Sequence, residues 1–257
     1  MTFPEPDAEG VAVLWHSLLV DDRMWDGVAP HLAATRRLVR ISGPGHVGGP
    51  PASRHLSLGD CVALALRTLD ESDVRGPVDW VGSAWGGHVG ILFAATHPER
   101  VRSLVVCNAP LRPLAPKERV MMAALRGAFR VVGPLPPIRR VIAEKLLSPA
   151  SRADPAARAY LDDCLVRADR TGVARAIGAV SLRRPDLEPM LPRIAAPSLW
   201  VNADDDEFWT PAQSAAVTAA LPGSRTVTVS YTRHLTPFEA PEASAALIGE
   251  FWAEANG

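Results

Sequence analysis

The chain has 257 residues, of which 47% are apolar and 21% charged, enough for one sizeable domain with its own hydrophobic core. A formal net charge of -1 gives no broad electrostatic match to nucleic acid or to an anionic membrane, and no apolar run is long enough to span a bilayer. The acidic start, Met1 to Gly10, lacks the basic and apolar regions of a signal peptide, and Cys61, Cys107 and Cys164 form no C-x-x-C pair, so buried thiols in a cytoplasmic protein are expected.

Short apolar runs alternate with stretches of helical period. Val11 to Trp15 reads as a buried strand, and so does Leu38 to Ile41. Leu58, Val62, Ala65, Leu66 and Leu69 recur at three and four, which predicts an amphipathic helix. Val78 to Val81 is a third strand. A glycine-bounded turn and a helix through Ile91, Leu92 and Ala95 follow, with Pro98 as the stop signal. Ser103 to Cys107 is a further strand. Between Leu111 and Pro192 there is no strand pattern, only short helical segments cut by prolines. Strand rhythm returns at Ser198 to Val201 and Thr226 to Val229, and the last helix runs from Pro241 to about Ala255. Strands alternating with helices predict a mostly parallel sheet covered on both faces, with the core in residues 1–110 and 193–257. Residues 111–192 are expected to form an inserted helical lid over the carboxyl ends of the strands, where open α/β sheets bind ligands.

The segment Gly82-Ser83-Ala84-Trp85-Gly86-Gly87 follows a strand and opens a helix. That is the context of a G-x-S-x-G nucleophile elbow, in which a strained central residue presents its side chain at the tip of the turn. Side chains two positions to either side would collide, which accounts for Gly82 and Gly86, and Gly87 allows close packing of helix on sheet. The central residue, however, is Ala84, and a methyl group cannot attack a carbonyl. Ser83 is a poor substitute, because adjacent side chains point in different directions. An ordinary tight strand-to-helix turn explains the glycines alone, and the G-x-G-x-x-G spacing of a dinucleotide loop is absent.

With this elbow, further segments carry a resemblance. The chain resembles the α/β-hydrolase superfamily along nearly its whole length. Within it, the 3-oxoadipate enol-lactonases look most similar, through Ser17-Leu18 followed by Met24-Trp25-Asp26. The resemblance implies an oxyanion hole made by the backbone N–H groups of Leu18 and Trp85. Ser42 to His46 is similar to the family's Asp-x-x-Gly-His loop and is expected to be structural, as is His16. The family's acid follows the strand at Ser198 to Val201, where the turn reads Asp204-Asp205-Asp206-Glu207. Counting from the strand implies Asp206, with Asp205 and Glu207 left as alternatives, since counting back from Thr210-Pro211 reaches Glu207. His234, before Glu239-Ala240-Pro241-Glu242, resembles the family's terminal histidine, with Arg233 where glycine is usual. His88 could face either core or pocket.

The expected pocket lies between Ala84, His234, the acidic turn and insertion residues such as Met121, Met122 and Phe129, the last three being equally readable as insertion core. Its expected occupant is a small, mostly apolar ester, lactone or carbonyl compound. No cofactor is called for, and the scattered histidines show no metal-ligand spacing. The expected partner is that small molecule, with no nucleic acid and no membrane; self-association is left open. Without the serine, three readings stand: hydrolysis impaired or rerouted through His234, a non-hydrolytic pseudoenzyme or ligand-binding module, or a serine replaced by alanine in a working hydrolase. An epoxide-hydrolase-like reading, suggested by Trp85-Gly86-Gly87, ranks lower because it needs lid tyrosines and the insertion holds only Tyr160.

Overall fold

The computed structural model describes residues 10–255. The expectation about a signal peptide falls largely on residues outside that range. In chain order the elements are β1 (Val11–Trp15), α1 (Ala29–Leu32), β2 (Arg37–Ile41), α2 (Leu58–Glu71), β3 (Val78–Ser83), α3 (Trp85–Thr96) and β4 (Val101–Cys107). Then follow α4 (Pro116–Val132), α5 (Pro136–Leu146), α6 (Pro149–Ala153), α7 (Pro155–Arg167) and α8 (Arg170–Ile177). The sheet resumes with β5 (Ser198–Ala203), α9 (Pro211–Ala220), β6 (Ser224–Val229), α10 (Thr236–Glu239) and α11 (Pro241–Ala255).

The six strands form one sheet in the order β2-β1-β3-β4-β5-β6, and every neighbouring pair is parallel. This is the parallel sheet expected from the alternation of elements, and it agrees with the fold that the resemblance implies. Side-chain period two divides the interior into two cores. Val13, Trp15, Trp80, Val106 and Trp200 face α2, α3 and α9 on one side. Leu14, Val81, Val105 and Leu199 face α11 and part of the helical insertion on the other.

Local signals set the element ends. Ser57 caps α2 in a reciprocal capping box with Asp60, and Thr210 does the same for α9 with Gln213. Proline occupies the first turn of α4, α5, α6 and α7, so the prolines that interrupt the insertion start its helices. Among the described residues the insertion contains no strand.

The strand order reverses between β1 and β3, because β1 has β2 on one side and β3 on the other. Loops leaving the carboxyl ends of β1 and β3 therefore diverge and leave a crevice between them. Those loops are His16-Ser17-Leu18 and the turn at Ala84.

Candidate active site

Ala84 sits alone between β3 and α3 with φ 45° and ψ -98°, a region that L-residues rarely occupy. Its backbone is locked from both sides. The Ala84 N–H donates to the Cys107 carbonyl at 2.7 Å, and the Ala84 carbonyl accepts from the His88 N–H at 2.9 Å. A Cβ on Gly82 would overlap the Gly86 backbone, and one on Gly86 would overlap the Trp15 carbonyl. Gly87 meets the Ala109 side chain, so its missing Cβ is what brings α3 onto the sheet. Strain of this kind costs about 1–3 kcal/mol and persists only where the surroundings over-determine it. The strained strand-to-helix turn is held at every point, and its tip carries the Ala84 methyl group.

Facing it, the loop after β1 is held by two neutral histidines. His16 Nδ1 donates to the Ser17 carbonyl at 2.6 Å and its Nε2 accepts from the Gly43 N–H at 2.8 Å. His46 Nε2 accepts from the Leu19 N–H at 3.1 Å. Burial lowers both imidazoles, His46 to about 3 with a further contribution from His16, so both stay neutral acceptors. Leu19 is forced to φ 72°, and Ser17 donates its N–H to Met24 Sδ at 3.3 Å. The intervening Leu18 N–H has no acceptor among the described residues. The Trp85 N–H, at the first turn of α3, has no intrahelical partner either. Leu18 and Trp85 both line the cavity beside Ala84.

His234 lies on the same cavity, and its Nδ1 is 3.0 Å from Asp206 Oδ2. Asp206 also accepts from Asn108 Nδ2 at 3.0 Å and from the Phe208 N–H at 2.8 Å. Burial pushes its carboxyl up, but His234 and these hydrogen bonds outweigh burial and hold it below the usual carboxylate range. The neighbouring carboxylates are otherwise engaged. Glu207 pairs with Lys145 at 2.5 Å and Arg233 at 3.0 Å, Asp205 with Arg233 at 3.2 Å, and Asp204 accepts from the Tyr231 N–H at 3.1 Å. With Nδ1 on Asp206, His234 keeps Nε2 for a bound molecule.

The cavity has a volume of about 140 Å³ and opens to solvent at its mouth. Leu114, Met121, Met122 and Leu125 of the α4 region and Val141, Ile142 and Leu146 of α5 supply much of its wall. Phe208 stands edge-on to His234 with ring centroids 5.0 Å apart, whereas Trp209 is buried against Trp200. His88 also lines the cavity; its Nε2 is 2.9 Å from the Pro110 carbonyl, and burial, Arg184 and His234 keep it neutral. Ser17 lines it with a buried, unpartnered hydroxyl.

One expectation is corrected, and the places of other residues are settled. Phe129 is not on the cavity; it is fully buried in the core on the α11 side of the sheet. Ser83 is buried as the last residue of β3 and does not reach the cavity. The Arg233 guanidinium adds no free cation, being spent on Asp205, Glu207 and the Glu144 carbonyl. Tyr160 stacks on Phe238 and donates to the Asp21 carbonyl at 3.2 Å, away from the cavity. Asn108 and Arg184 are site residues that the sequence reading did not single out. Asn108 has φ 53°, and an asparagine directly after a strand is a usable signal for such a conformation. Nothing local marks Arg184. Among the described residues no His, Cys, Asp and Glu groups gather as a metal site, and no helix is long and apolar enough to cross a membrane.

A parallel sheet with a strained elbow after β3, and a histidine–carboxylate pair on the loops after β5 and β6, defines an α/β hydrolase. The chain matches the alpha/beta hydrolase family over residues 12–247 and belongs to it. Among curated proteins it is similar to the pimeloyl-[acyl-carrier protein] methyl ester esterase of Neisseria meningitidis, 27% identical over 248 residues, covering 96% of this chain and 94% of the relative. It is also similar to a 2-hydroxy-6-oxononadienedioate/2-hydroxy-6-oxononatrienedioate hydrolase of Cupriavidus pinatubonensis, 25% identical over 231 residues, covering 87% and 78%. Among solved structures, an esterase from Thermogutta terrifontis superposes with a TM-score of 0.90 at 22% identity, covering 97% of this chain and 92% of that one. The enol-lactonase of Burkholderia xenovorans gives 0.87 at 24% identity, covering 98% and 94%. These two likenesses establish the fold.

Proposed function

We propose that the protein takes up a small, mostly apolar ester, lactone or carbonyl compound, and that ester cleavage is impaired or rerouted because Ala84 stands where the nucleophile would be. The observation that carries this reading is the combination at one cavity of an inert elbow tip with an otherwise equipped site. The unspent N–H groups of Leu18 and Trp85 and the Asp206-supported His234 all belong to it. The curated relatives named as methyl ester esterases support the substrate class.

In a Ser-His-Asp hydrolase the histidine activates the serine, and the carboxylate holds the histidine's orientation. Removing the serine alone costs about 10⁶ in kcat, while the oxyanion donors and binding leave roughly 10³–10⁴ over water. The groups that remain suit two jobs. His234 Nε2 can activate a water directly, or take a proton from a bound carbonyl compound whose oxygen rests on the two N–H groups. The helices between β4 and β5 act as the lid that keeps the site apolar.

A second reading is a ligand-binding module, favoured by the hydrocarbon walls. The epoxide-hydrolase reading loses support, since Tyr160 is elsewhere. The test is hydrolysis of a short-chain p-nitrophenyl ester by the parent and by Ala84→Ser, side by side. A gain of about three orders of magnitude or more in the serine variant is expected. No turnover by either protein would overturn the impaired-hydrolase reading and leave the binding module. Comparable turnover by both would move the chemistry to His234 and water, and loss of that turnover in His234→Ala would establish it.

A further inference from the structure

Among the described residues, the fully charged side chains buried in the fold are Asp21, Arg36, Asp79, Arg184 and Asp206. Asp21 pairs with Arg23 at 2.7 Å, Arg36 with Asp79 at 2.7 Å, and Asp206 faces His234 at 3.0 Å. Arg184 differs. It is only 4% exposed, lines the cavity, and has no carboxylate within ion-pair distance among the described residues. Its guanidinium donates through Nη1 to the Leu111 carbonyl at 2.6 Å and through Nη2 to the Arg112 carbonyl. Its Nε–H is buried with no acceptor.

Two carbonyl dipoles orient this cation without neutralising it. Asp186, beyond ion-pair distance, offsets the cost of burying this charge only in part: burial outweighs it and lowers the Arg184 guanidinium to about 10, which leaves it protonated at neutral pH. The other charged residues on the cavity do not serve as its partner. Lys145 is bound to Glu207 at 2.5 Å, Glu118 turns its carboxylate to the Ala115 N–H at 3.0 Å, and His88 is neutral. No carboxylate among the described residues reaches ion-pair distance of Arg184, and the residue lines the cavity, from which an anion can approach it.

We infer that Arg184 is a recognition site for a carboxylate, so that the ligand is an apolar molecule bearing one carboxylate, its hydrocarbon body lying against Met121, Met122, Leu125 and Ile142. The Arg184 guanidinium supplies the charge, and a carboxylate accepts from guanidinium in a charge-assisted bond. The inference rests on the reading of this cavity as the ligand site and narrows its substrate class to carboxylate-bearing esters, lactones or carbonyl compounds.

The test is calorimetric titration of the full chain with 4-phenylbutanoate and with its neutral near-isostere, 4-phenylbutanamide. The parent is expected to bind the carboxylate at least about tenfold more tightly. Arg184→Met should abolish that preference and keep the amide's affinity, and Arg184→Lys should retain part of it. Arg184→Gln, which can still donate to a carbonyl, replaces the Met variant in the comparison if the latter fails to fold. Equal affinity of the parent for both probes overturns the carboxylate site while leaving the cavity as a ligand site. A preference that survives loss of the Arg184 charge overturns the assignment to Arg184. Binding of neither probe at millimolar concentration removes the cavity reading and this inference together.

Discussion

Asn108 donates from Nδ2 to Asp206 Oδ2 at 3.0 Å, the same oxygen that meets His234 Nδ1. Asn108 is fully buried at the end of β4, and its amide also donates to the Arg233 carbonyl at 3.2 Å. One side chain thus ties the carboxylate on the loop after β5 to the histidine loop after β6. Asn108→Ala removes a hydrogen bond to a charged group and one to the Arg233 carbonyl, and at φ 53° it gives up asparagine's tolerance of that conformation, so a loss of at least about 1.5–3 kcal/mol is expected. Urea unfolding of the two proteins measures it, and a change below about 0.5 kcal/mol would refute the tie.

The Asp206 carboxyl titrates below its ordinary value, so its contribution to stability has a definite sign with pH. The contribution is present above the unfolded-state pKa of about 3.9 and is lost as the pH falls through the lower folded-state value. The stability advantage of the parent over Asp206→Asn should therefore narrow as the pH drops below about 4. Urea midpoints across that range measure this, and an advantage that widened with acid would contradict the direction of the shift.

Ala84 should tolerate glycine better than other buried alanines do. Its φ of 45° is relaxed by removal of Cβ, which offsets the loss of a buried methyl. Ala84→Gly is expected to stay within about 1 kcal/mol of the parent, whereas Ala94→Gly, in the regular interior of α3, costs about 2 kcal/mol. Thermal melts of the pair decide it; equal losses would mean that the elbow holds no strain.

Glycine positions give the sharpest contrast. Gly82→Ala drives a Cβ into the Gly86 backbone, which cannot yield without opening the elbow. A loss above about 4 kcal/mol, or failure to fold, is expected. Gly249, in α11, has nothing near its missing Cβ, and Gly249→Ala should stabilise by about 0.5–1 kcal/mol. Soluble expression and urea midpoints test both.

Much of this fold is local in origin and so was readable from sequence. Alternating strands and helices predicted the parallel sheet, and the elbow needs only a strand, three glycines and a helix in succession. Element ends were less legible. β4 begins at Val101 and β5 runs to Ala203, both beyond the apolar runs that announce them, because the ladder continues through residues whose pairing partners are distant in sequence.

By itself the sequence determined the need for glycines around Ala84, which follows from steric rules that act over a few residues. The Leu18 N–H and His234 were implied by the family resemblance rather than by any local rule. Only the tertiary structure decided which carboxylate meets His234. Lys145 of α5 and Arg233 draw Glu207 outward, while Asn108 and the Phe208 N–H turn Asp206 inward. It also decided that Phe129 is core while Met121 and Met122 face the cavity, and that Arg184 is a buried cation with no carboxylate at ion-pair distance among the described residues. Each of these depends on what packs against a side chain from far along the chain, and charge pairing and burial are properties of that packing.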